Sequence, residues 1–343
     1  METPVKFQVD RRELMLALEK VSPGLTTEEV LEQSDCFVFL NGRLMTYNDN
    51  ICVNLPLTFG GWNGAVKSQK LLSILSKMDA TSVMVEVSDK ELRISSNKSR
   101  MGIPAQHNVL LPVQEVKPPE SGSDSWKALP KDFTTALRLC MFSTARDAKA
   151  EQILNCIHVK GNQAESCDDF RATRYTMESG LESDLLIPRL QALQLAKLSL
   201  THIAVDSAFL HFITDDHVVF SCRRVSFGYP NLDKLLTVEG QDLTLPDTLG
   251  ETLQRAGVFS SDNEDDYVEI QVQGGMILVT GKGNSGWFQE RDKCTFPGNI
   301  SFFINPATFR EALAVMHTIK VTDNRIGIKG DKFIHAVCLS QVS

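Results

Sequence analysis

The sequence predicts an α+β fold of three similar domains, each with two helices packed on antiparallel sheets. Two kinds of strand pair each occur three times, two helical patterns each occur three times, and both keep the same order at intervals of roughly 120 residues. The predicted domains are residues 1–115, 126–236 and 240–343, which are near the lower end of the usual range of domain sizes. Residues 112–126 and 229–240 are the predicted connectors.

The repeated strand pairs alternate apolar and polar residues, as half-buried strands do, with Gly, Asn, Asp or Ser at the turn. We expect six β-hairpins of two kinds. The pair that follows each second helix is VEVSDKELRIS from Val85, AVDSAFLHFIT from Ala204 and KVTDNRIGIKG from Lys320. The earlier pair is FLNGRLMTYND from Phe39, HVKGNQAESCDD from His158 and QVQGGMILVTGK from Gln271.

The repeated helices are recognised by apolar residues that return every three or four positions. The first helix of each domain should begin near Arg11, Lys131 and Asp247. The second should begin near Lys67, Pro188 and Pro306, and proline suits the first turn of a helix. The predicted buried faces of the first helices are Leu14, Leu18 and Val21; Phe133, Leu137 and Cys140; and Leu249, Leu253 and Ala256.

The composition is that of a globular protein, with 343 residues, 42% hydrophobic and 23% charged. No run approaches the roughly 20 apolar residues of a membrane span, and the first residues are too charged for a signal peptide. We therefore expect a cytoplasmic protein with no membrane partner. The formal net charge of −8 argues against simple coating of nucleic acid, although an acidic protein can carry a locally basic surface.

The eight cysteines are isolated and form no Cys-x-x-Cys pair. They are predicted to be reduced core thiols rather than disulfides or a zinc site. His202, His211 and His217 are too scattered for a metal site, so neither a metal nor a cofactor is predicted.

Two motifs resemble ligand sites but are interpreted as loops. GKGNSG at residues 281–286 matches G-x-G-x-x-G, yet the sequence after it is not the helix that would meet a pyrophosphate. The acidic run SSDNEDDY at residues 260–267 lacks the turn glycine and the closing Glu of a calcium loop. We therefore predict that GKGNSG is a turn between strands and that SSDNEDDY is a solvated loop.

The segment SCDDFRATRYTM at residues 166–177 has two interpretations. Asp168 and Asp169 could be a catalytic pair, or they could form a turn that enters a strand. They occupy the place that Asn48 and Asp49 have in the first repeat, and a position that recurs as a turn favours the structural interpretation. No catalytic residue is therefore predicted.

With the repeats aligned, the chain resembles the bacterial DNA polymerase III beta sliding clamp family over nearly its whole length. VKFQVDRRELMLALEKVS is similar to the start of that family's first domain. SCDDFRATRY resembles its Ala-Thr-Asp-Gly-His-Arg-Leu-Ala segment and retains Asp168 and Arg171. FSCRRVSFGYPNLDKLL resembles its Ser-Arg-Leu...Gly-x-Phe-Pro-Asp-Tyr connector and retains Gly228 and Pro230.

The resemblance implies a processivity factor without enzymatic activity. Two copies of the chain would close a ring head to tail around double-stranded DNA of any sequence, and the ring would tether the replicative DNA polymerase and the clamp loader. The subunit contact would join Met101 and Ile103 to Val258 and Phe259. The DNA-facing basic residues on the helices would be Arg12, Lys20, Lys70, Lys77, Arg138, Lys149, Arg189, Lys197 and Arg310.

The resemblance also implies a pocket that captures short peptides of the partners. Asp169 and Phe170 replace the family's Gly-His, and AVC replaces its Met-Pro-Met ending, so acidic peptides should be repelled by Asp169. Arg171 is expected to hold a peptide carboxylate or carbonyl. The predicted pocket comprises Leu154, Cys167, Asp169, Phe170, Arg171, Ala172, Pro230, Lys234, Leu235, Ala336 and Val337.

Two alternatives stay open at this point. The first is a nucleic-acid-processing enzyme that uses Asp168 and Asp169. The second is a monomeric DNA-binding processivity subunit that never closes a ring. The altered pocket favours a divergent clamp, of a bacterium or of a phage.

Overall fold

The computed structural model describes residues 5–58, 61–88, 90–120, 122–146, 151–261, 266–296, 298–313, 318–322 and 324–338. The chain divides into two compact units, Met1–Leu129 with Lys197–Arg224 and Pro130–Ala196 with Val225–Ser343. The predicted second domain contributes strands to both units, and the division into three domains stays a prediction. In the described ranges, no helix is long and apolar enough to cross a membrane.

More of the described backbone lies in antiparallel strands than in helices. In chain order the strands are β1 Val5–Asp10, β2 Cys36–Leu40, β3 Arg43–Tyr47, β4 Ile51–Pro56, β5 Gly64–Lys67, β6 Ser82–Val87, β7 Glu91–Ser95, β8 Arg100–Gln106, β9 Lys127–Ala128, β10 Cys156–Cys167, β11 Arg171–Pro188, β12 Leu200–Val205, β13 Phe209–Thr214, β14 Val219–Arg223, β15 Gln241–Asp242, β16 Val268–Gln273, β17 Met276–Gly283, β18 Gly286–Lys293, β19 Ile300–Ile304, β20 Thr318–Val321, β21 Arg325–Lys329 and β22 Phe333–Cys338.

The predicted helices are confirmed, and each begins within two residues of its predicted start. All nine residues of the predicted apolar faces of the first helices are buried. Asp10 caps the first of them, since its carboxylate accepts from the backbone N–H groups of Arg12 and Glu13. The helices are α1 Arg11–Val21, α2 Ser68–Lys77, α3 Phe133–Cys140, α4 Arg189–Leu195, α5 Asp233–Leu236, α6 Leu249–Ser260 and α7 Pro306–Leu313.

The first unit holds a sheet of twelve strands in the order β1-β6-β7-β8-β5-β2-β3-β4-β14-β13-β12-β9. Helix α1 buries Leu14, Leu18 and Val21, and α2 buries Leu71 and Leu75. Arg12 and Lys20 on α1 and Lys70 and Lys77 on α2 are exposed, because an amphipathic helix presents its charged face to solvent. Arg11 instead donates to the carbonyl oxygens of Leu75 and Ala80.

The second unit holds two sheets. One has the order β10-β11-β22-β21-β20-β15, and the other has the order β18-β17-β16-β19. Strand β22, close to the chain's end, pairs with β11 on one side and β21 on the other. This pairing brings three distant segments of sequence side by side.

Five of the six predicted hairpins are confirmed. In the first of them, Asn41 and Gly42 both have positive φ, as a two-residue turn between β2 and β3 requires. The GKGNSG motif forms the turn between β17 and β18, as predicted.

The hairpin predicted for HVKGNQAESCDD is wrong. Residues 156–167 form one strand, β10, which pairs with β11 along its length. Gly161 has a φ of 57° and lies at a register irregularity in which β11 carries the extra residues, since Val159 pairs with Leu185 and Gln163 with Thr176. The reversal comes later, in the turn at residues 168–170 between β10 and β11.

The turn at Asp168 does recur, as the repeats predict. The Asn48 side chain accepts from the backbone N–H of Ile51 at 2.8 Å, and the Asp168 side chain accepts from that of Arg171 at 2.8 Å. Asp206, in the turn of the later strand pair, makes a similar contact with Phe209 at 2.6 Å. A short acceptor side chain at this position satisfies the turn's backbone donors each time.

Six of the eight cysteines are buried free thiols, but Cys294 is half-buried and Cys338 is exposed, so the prediction of core thiols is wrong for these two. His211 is buried and bonded to Asp206 and Ser221 rather than grouped with other metal-ligating residues. Within the described ranges, no cluster of His, Cys, Asp and Glu could hold a metal ion. Most of the acidic run, residues 262–265, lies outside the described residues.

Candidate functional site

A cleft of about 240 Å³ opens in the second unit where β11, β22 and β21 meet α5. It combines two exposed apolar side chains with charged groups. Phe170 is 68% exposed and Leu235 is 45% exposed. The residues that line the cleft are Asp168, Asp169, Phe170, Arg171, Ala172, Leu235, Asn324, Arg325, Ala336, Val337 and Cys338.

The turn between β10 and β11 forms one side of the cleft. Asp168 accepts backbone N–H bonds from Phe170 and Arg171 at 2.9 and 2.8 Å, and its second oxygen accepts from the Arg171 guanidinium at 2.6 Å. Both oxygens of Asp168 are therefore committed to the turn. The neighbouring Asp169 is exposed.

Arg171 does not have the free guanidinium that the sequence analysis expected. Its side chain is only 5% exposed, it is paired with Asp168, and it lies 5.5 Å from the ring centroid of Tyr267. Because successive strand residues point to opposite faces, Arg171 lies on the face opposite Ala172. Arg171 lines the cleft, but its guanidinium is buried and its Nε and Nη2 bond Asp168, so it braces the turn.

On that opposite face, Arg171 adjoins a buried polar cluster. Thr173 Oγ1 lies 2.8 Å from His335 Nδ1, and Ser143 Oγ lies 2.7 Å from Thr173 Oγ1. Burial, and to a lesser degree the charge of Arg171, lowers the pKa of His335 to about 3. His335 is therefore neutral and structural at physiological pH.

Helix α5 forms the other side of the cleft and is held at both ends. Nη2 of Arg174 pairs with Asp233 at 2.7 Å, and this hydrogen bond lowers the pKa of the Asp233 carboxyl. Nη1 of Arg325 donates to the carbonyl oxygens of Lys234 and Leu235 at 2.9 and 3.1 Å. These two arginines fix the backbone that presents the Leu235 side chain.

The α5 segment also buries apolar residues beneath the cleft. Leu232 and Leu236 pack in one cluster with Ala172, Ala336 and Cys167. They are one helical turn apart and lie on the same side of α5, which leaves Leu235 facing outwards. Cys167 is a core residue, 4% exposed, and this burial raises the pKa of its thiol.

Seven of the eleven predicted pocket residues line this cleft, and four do not. Leu154 and Cys167 belong to the apolar cluster beneath it. Pro230 and Lys234 are exposed on the connector and α5. Four further residues line the cleft that the sequence did not predict there, namely Asp168, Asn324, Arg325 and Cys338. Asn324 and Arg325 belong to the third copy of a recognised hairpin, and only the pairing of β21 with β22 brings them here.

The predicted DNA-facing residues differ in their surroundings. Arg189 donates to the Met141 carbonyl at 2.8 Å and to Thr144 Oγ1 at 2.6 Å, so it joins two segments of its own unit. Lys20 is paired with Asp216, and Lys149 lies outside the described residues. The remaining six are exposed, namely Arg12, Lys70, Lys77, Arg138, Lys197 and Arg310.

The residues predicted for the subunit contact lie near open strand edges. Ile103 is only 6% exposed, but the backbone of β8 pairs with β5 only at Ala105 and Gln106. Strand β18 ends its sheet. Val258 on α6 is 66% exposed and Phe259 is half-buried.

In comparisons of sequence, no family model and no curated protein matches the chain. Solved structures match it from end to end. The DNA polymerase III subunit beta sliding clamp of Pseudomonas aeruginosa, bound to griselimycin, has a TM-score of 0.75 and 16% identity, covering 99% of this chain and 100% of that chain. This chain has the sliding-clamp fold.

Two further structures of DNA polymerase III beta chains match this chain to a similar extent. The DNA polymerase III beta chain of Streptococcus pneumoniae has a TM-score of 0.77 and 13% identity, covering 98% of this chain and 100% of its own. The beta subunit of Thermotoga maritima has a TM-score of 0.75 and 16% identity, with coverage of 99% and 100%. The predicted fold class is therefore confirmed, in a sequence far diverged from these clamps.

Proposed function

We propose that this protein is a DNA sliding clamp, a homodimeric ring that encircles duplex DNA and tethers a replicative polymerase through the cleft at Phe170 and Leu235. The observation that carries the proposal is the structural match to clamp chains over 98 to 99% of this chain and 100% of theirs.

The charges of the helices support DNA encirclement. Exposed Lys and Arg side chains on α1, α2, α3 and α7 would attract phosphates without reading bases. An encircling ring needs only weak attraction of this kind, because its topology prevents dissociation. An acidic net charge is therefore compatible with DNA binding.

The open strand edges support dimerisation. An unpaired edge is an association hazard in a monomer, and pairing β8 of one copy with β18 of another would cover both edges. Val258 and Phe259 would then meet the strand that contains Met101 and Ile103. The clamp loader would open this contact.

The catalytic alternative is disfavoured by the contacts of Asp168. Its oxygens accept two backbone N–H bonds and one guanidinium, which is the geometry of a structural turn. Asp169 alone would lack the second carboxylate that the alternative needs.

The proposal is tested by the topology of binding. The protein is dissociated by dilution at high salt, reassociated with a covalently closed plasmid, and freed of unbound protein by gel filtration. We expect protein to stay with the plasmid and to be lost when one restriction cut linearises it. Equal retention on circular and linear DNA would exclude encirclement.

A further inference from the structure

Three residues form a row across the cleft. The N–H of Cys338, at the end of β22, donates to the carbonyl of Phe170 at 2.8 Å. On the other side of β22, Arg325 at the start of β21 is the register partner of Cys338. Phe170 and Arg325 therefore lie two strand spacings apart, which is about 10 Å.

One end of this row carries an uncompensated negative charge. Asp169 precedes Phe170 and is exposed. Its neighbour Asp168 is paired with Arg171, whereas Asp169 forms no ion pair among the described residues. A carboxylate at this place attracts a cation on a bound ligand and repels an anion.

The other end carries positive charge. Arg325 uses Nη1 for the carbonyl oxygens of Lys234 and Leu235 and Nε for the side chain of Asn324. In the described part of the chain, neither Arg325 nor the exposed Lys234 has a carboxylate partner. Nη2 of Arg325 is left to bind one.

Apolar surface lies between the two ends. Ala172 and Ala336 are 2% and 5% exposed and form the floor, while Phe170 and Leu235 stand exposed beside it. An extended peptide covers such a surface with side chains that point to one face. Its rise of about 3.3 Å per residue spans the 10 Å between the charged ends in three residues.

We propose that the cleft selects peptides with opposite charges at their two ends: a Lys or Arg beside Asp169, an apolar centre, and an acidic residue or C-terminal carboxylate at Arg325 and Lys234, three to four positions away. This inference rests on the proposed function and specifies the partner segment of the same site. A nucleic acid is a poorer fit, because a uniform polyanion would meet the charge of Asp169.

The first experiment selects ligands without assuming their sequence. A random peptide library is panned on the full-length protein, with a Leu235→Asp protein as counter-selection. We expect the retained peptides to be enriched in a basic residue three or four positions from an acidic one, or from the C-terminus. If no peptide distinguishes the two proteins, peptide capture by this cleft fails, and this inference fails with it. If some peptides bind the wild type and not the Leu235→Asp protein but lack the charge pattern, the cleft binds peptides and only this inference fails.

The second experiment assigns each charge. Selected peptides are titrated against Asp169→Asn and Arg325→Gln, and each change should weaken binding about three- to fivefold at low salt, with the difference lost at high salt. Glu182→Gln on β11, the strand that follows Asp169, and Lys329→Gln on β21, the strand of Arg325, are the controls, since both residues are exposed. Equal affinities across all four variants would overturn the assignment.

A charge reversal separates recognition from local damage. The Asp169→Lys protein should lose the selected peptide and regain binding when the peptide's basic residue is replaced by Glu. Failure of that rescue would overturn the pairing. A thymidine oligonucleotide serves as the competing ligand: if it displaces the peptide and binds Asp169→Asn more tightly than wild type, the cleft is a nucleic-acid site instead.

Discussion

Thr173 and His335 face each other on β11 and β22, with Thr173 Oγ1 2.8 Å from His335 Nδ1. The hydrogen bond joins a strand of the chain's middle third to the last strand, and both side chains are fully enclosed. The face of the sheet opposite the cleft is thus held by a neutral histidine.

The first prediction concerns acid stability. Burial lowers the pKa of folded His335 to about 3 from an ordinary value of 6.5, so between these values the unfolded chain takes up a proton that the folded chain does not. The free energy of unfolding should therefore fall as pH decreases from 6.5 towards 3, by up to about 1.4 kcal/mol per pH unit from this residue. Urea unfolding of wild type and His335→Gln at several pH values measures the difference.

The difference in free energy of unfolding between wild type and His335→Gln should shrink as the pH falls. Only the wild type has the titrating group, so only the wild type loses stability through it. His202→Gln is the control, because His202 is exposed on β12. An unchanged gap between wild type and His335→Gln from pH 7 to pH 5 would contradict the assignment.

The second prediction concerns thiol reactivity. Cys338 is exposed, whereas burial raises the pKa of Cys36, Cys52 and Cys222 to about 12. A thiol reagent should modify Cys338 first in the native protein, since the thiolate is the reactive form. Mass spectrometry after brief labelling identifies the site, and Cys338→Ser should remove the fast phase. Fast labelling of Cys222 would show that the buried strands open readily.

The third prediction concerns the apolar part of the cleft. Leu235→Asp should weaken binding of a cleft-specific peptide at least about tenfold, because it removes apolar surface and places a carboxylate against the ligand. Calorimetry measures the affinity. Phe303→Asp is a matched control, an exposed apolar residue on β19, and should leave the affinity unchanged. If Leu235→Asp bound peptide as well as wild type does, the peptide site would lie elsewhere.

The fourth prediction concerns the subunit contact. Phe259→Asp and Val258→Asp should shift the dimer towards monomer at micromolar concentration, because a charge would be buried where apolar side chains meet. Light scattering gives the mass, and Phe303→Asp again serves as the control. A wild-type protein that remains monomeric under these conditions would support the monomeric alternative.

The fifth prediction concerns salt dependence. Reversing the charge at both Lys70 and Lys77 on α2 should lower DNA affinity and flatten the dependence of log affinity on log salt concentration, because fewer counterions are released. The matched control reverses Lys127 and Lys329, which are exposed on strands. Equal losses in the two double variants would show that the attraction does not depend on the helices.

The sequence by itself determined the local elements of this protein. The apolar spacing of Leu14, Leu18 and Val21 predicted a helix and its buried face, and the acceptor at Asp168 predicted a turn. These features depend on residues a few positions apart, so their cause is present in the local sequence.

The tertiary structure decided the composition of the cleft. Arg325 and Cys338 join Phe170 there only because β22 pairs with both β11 and β21, and the buried guanidinium of Arg171 pairs with Asp168 in the turn between β10 and β11. The register irregularity at Gly161 likewise depends on the partner strand, because β11 carries the extra residues there. Which strands pair, and which face of each strand is buried, depends on burial of residues from distant parts of the chain. The sequence around a single strand therefore does not determine its partners.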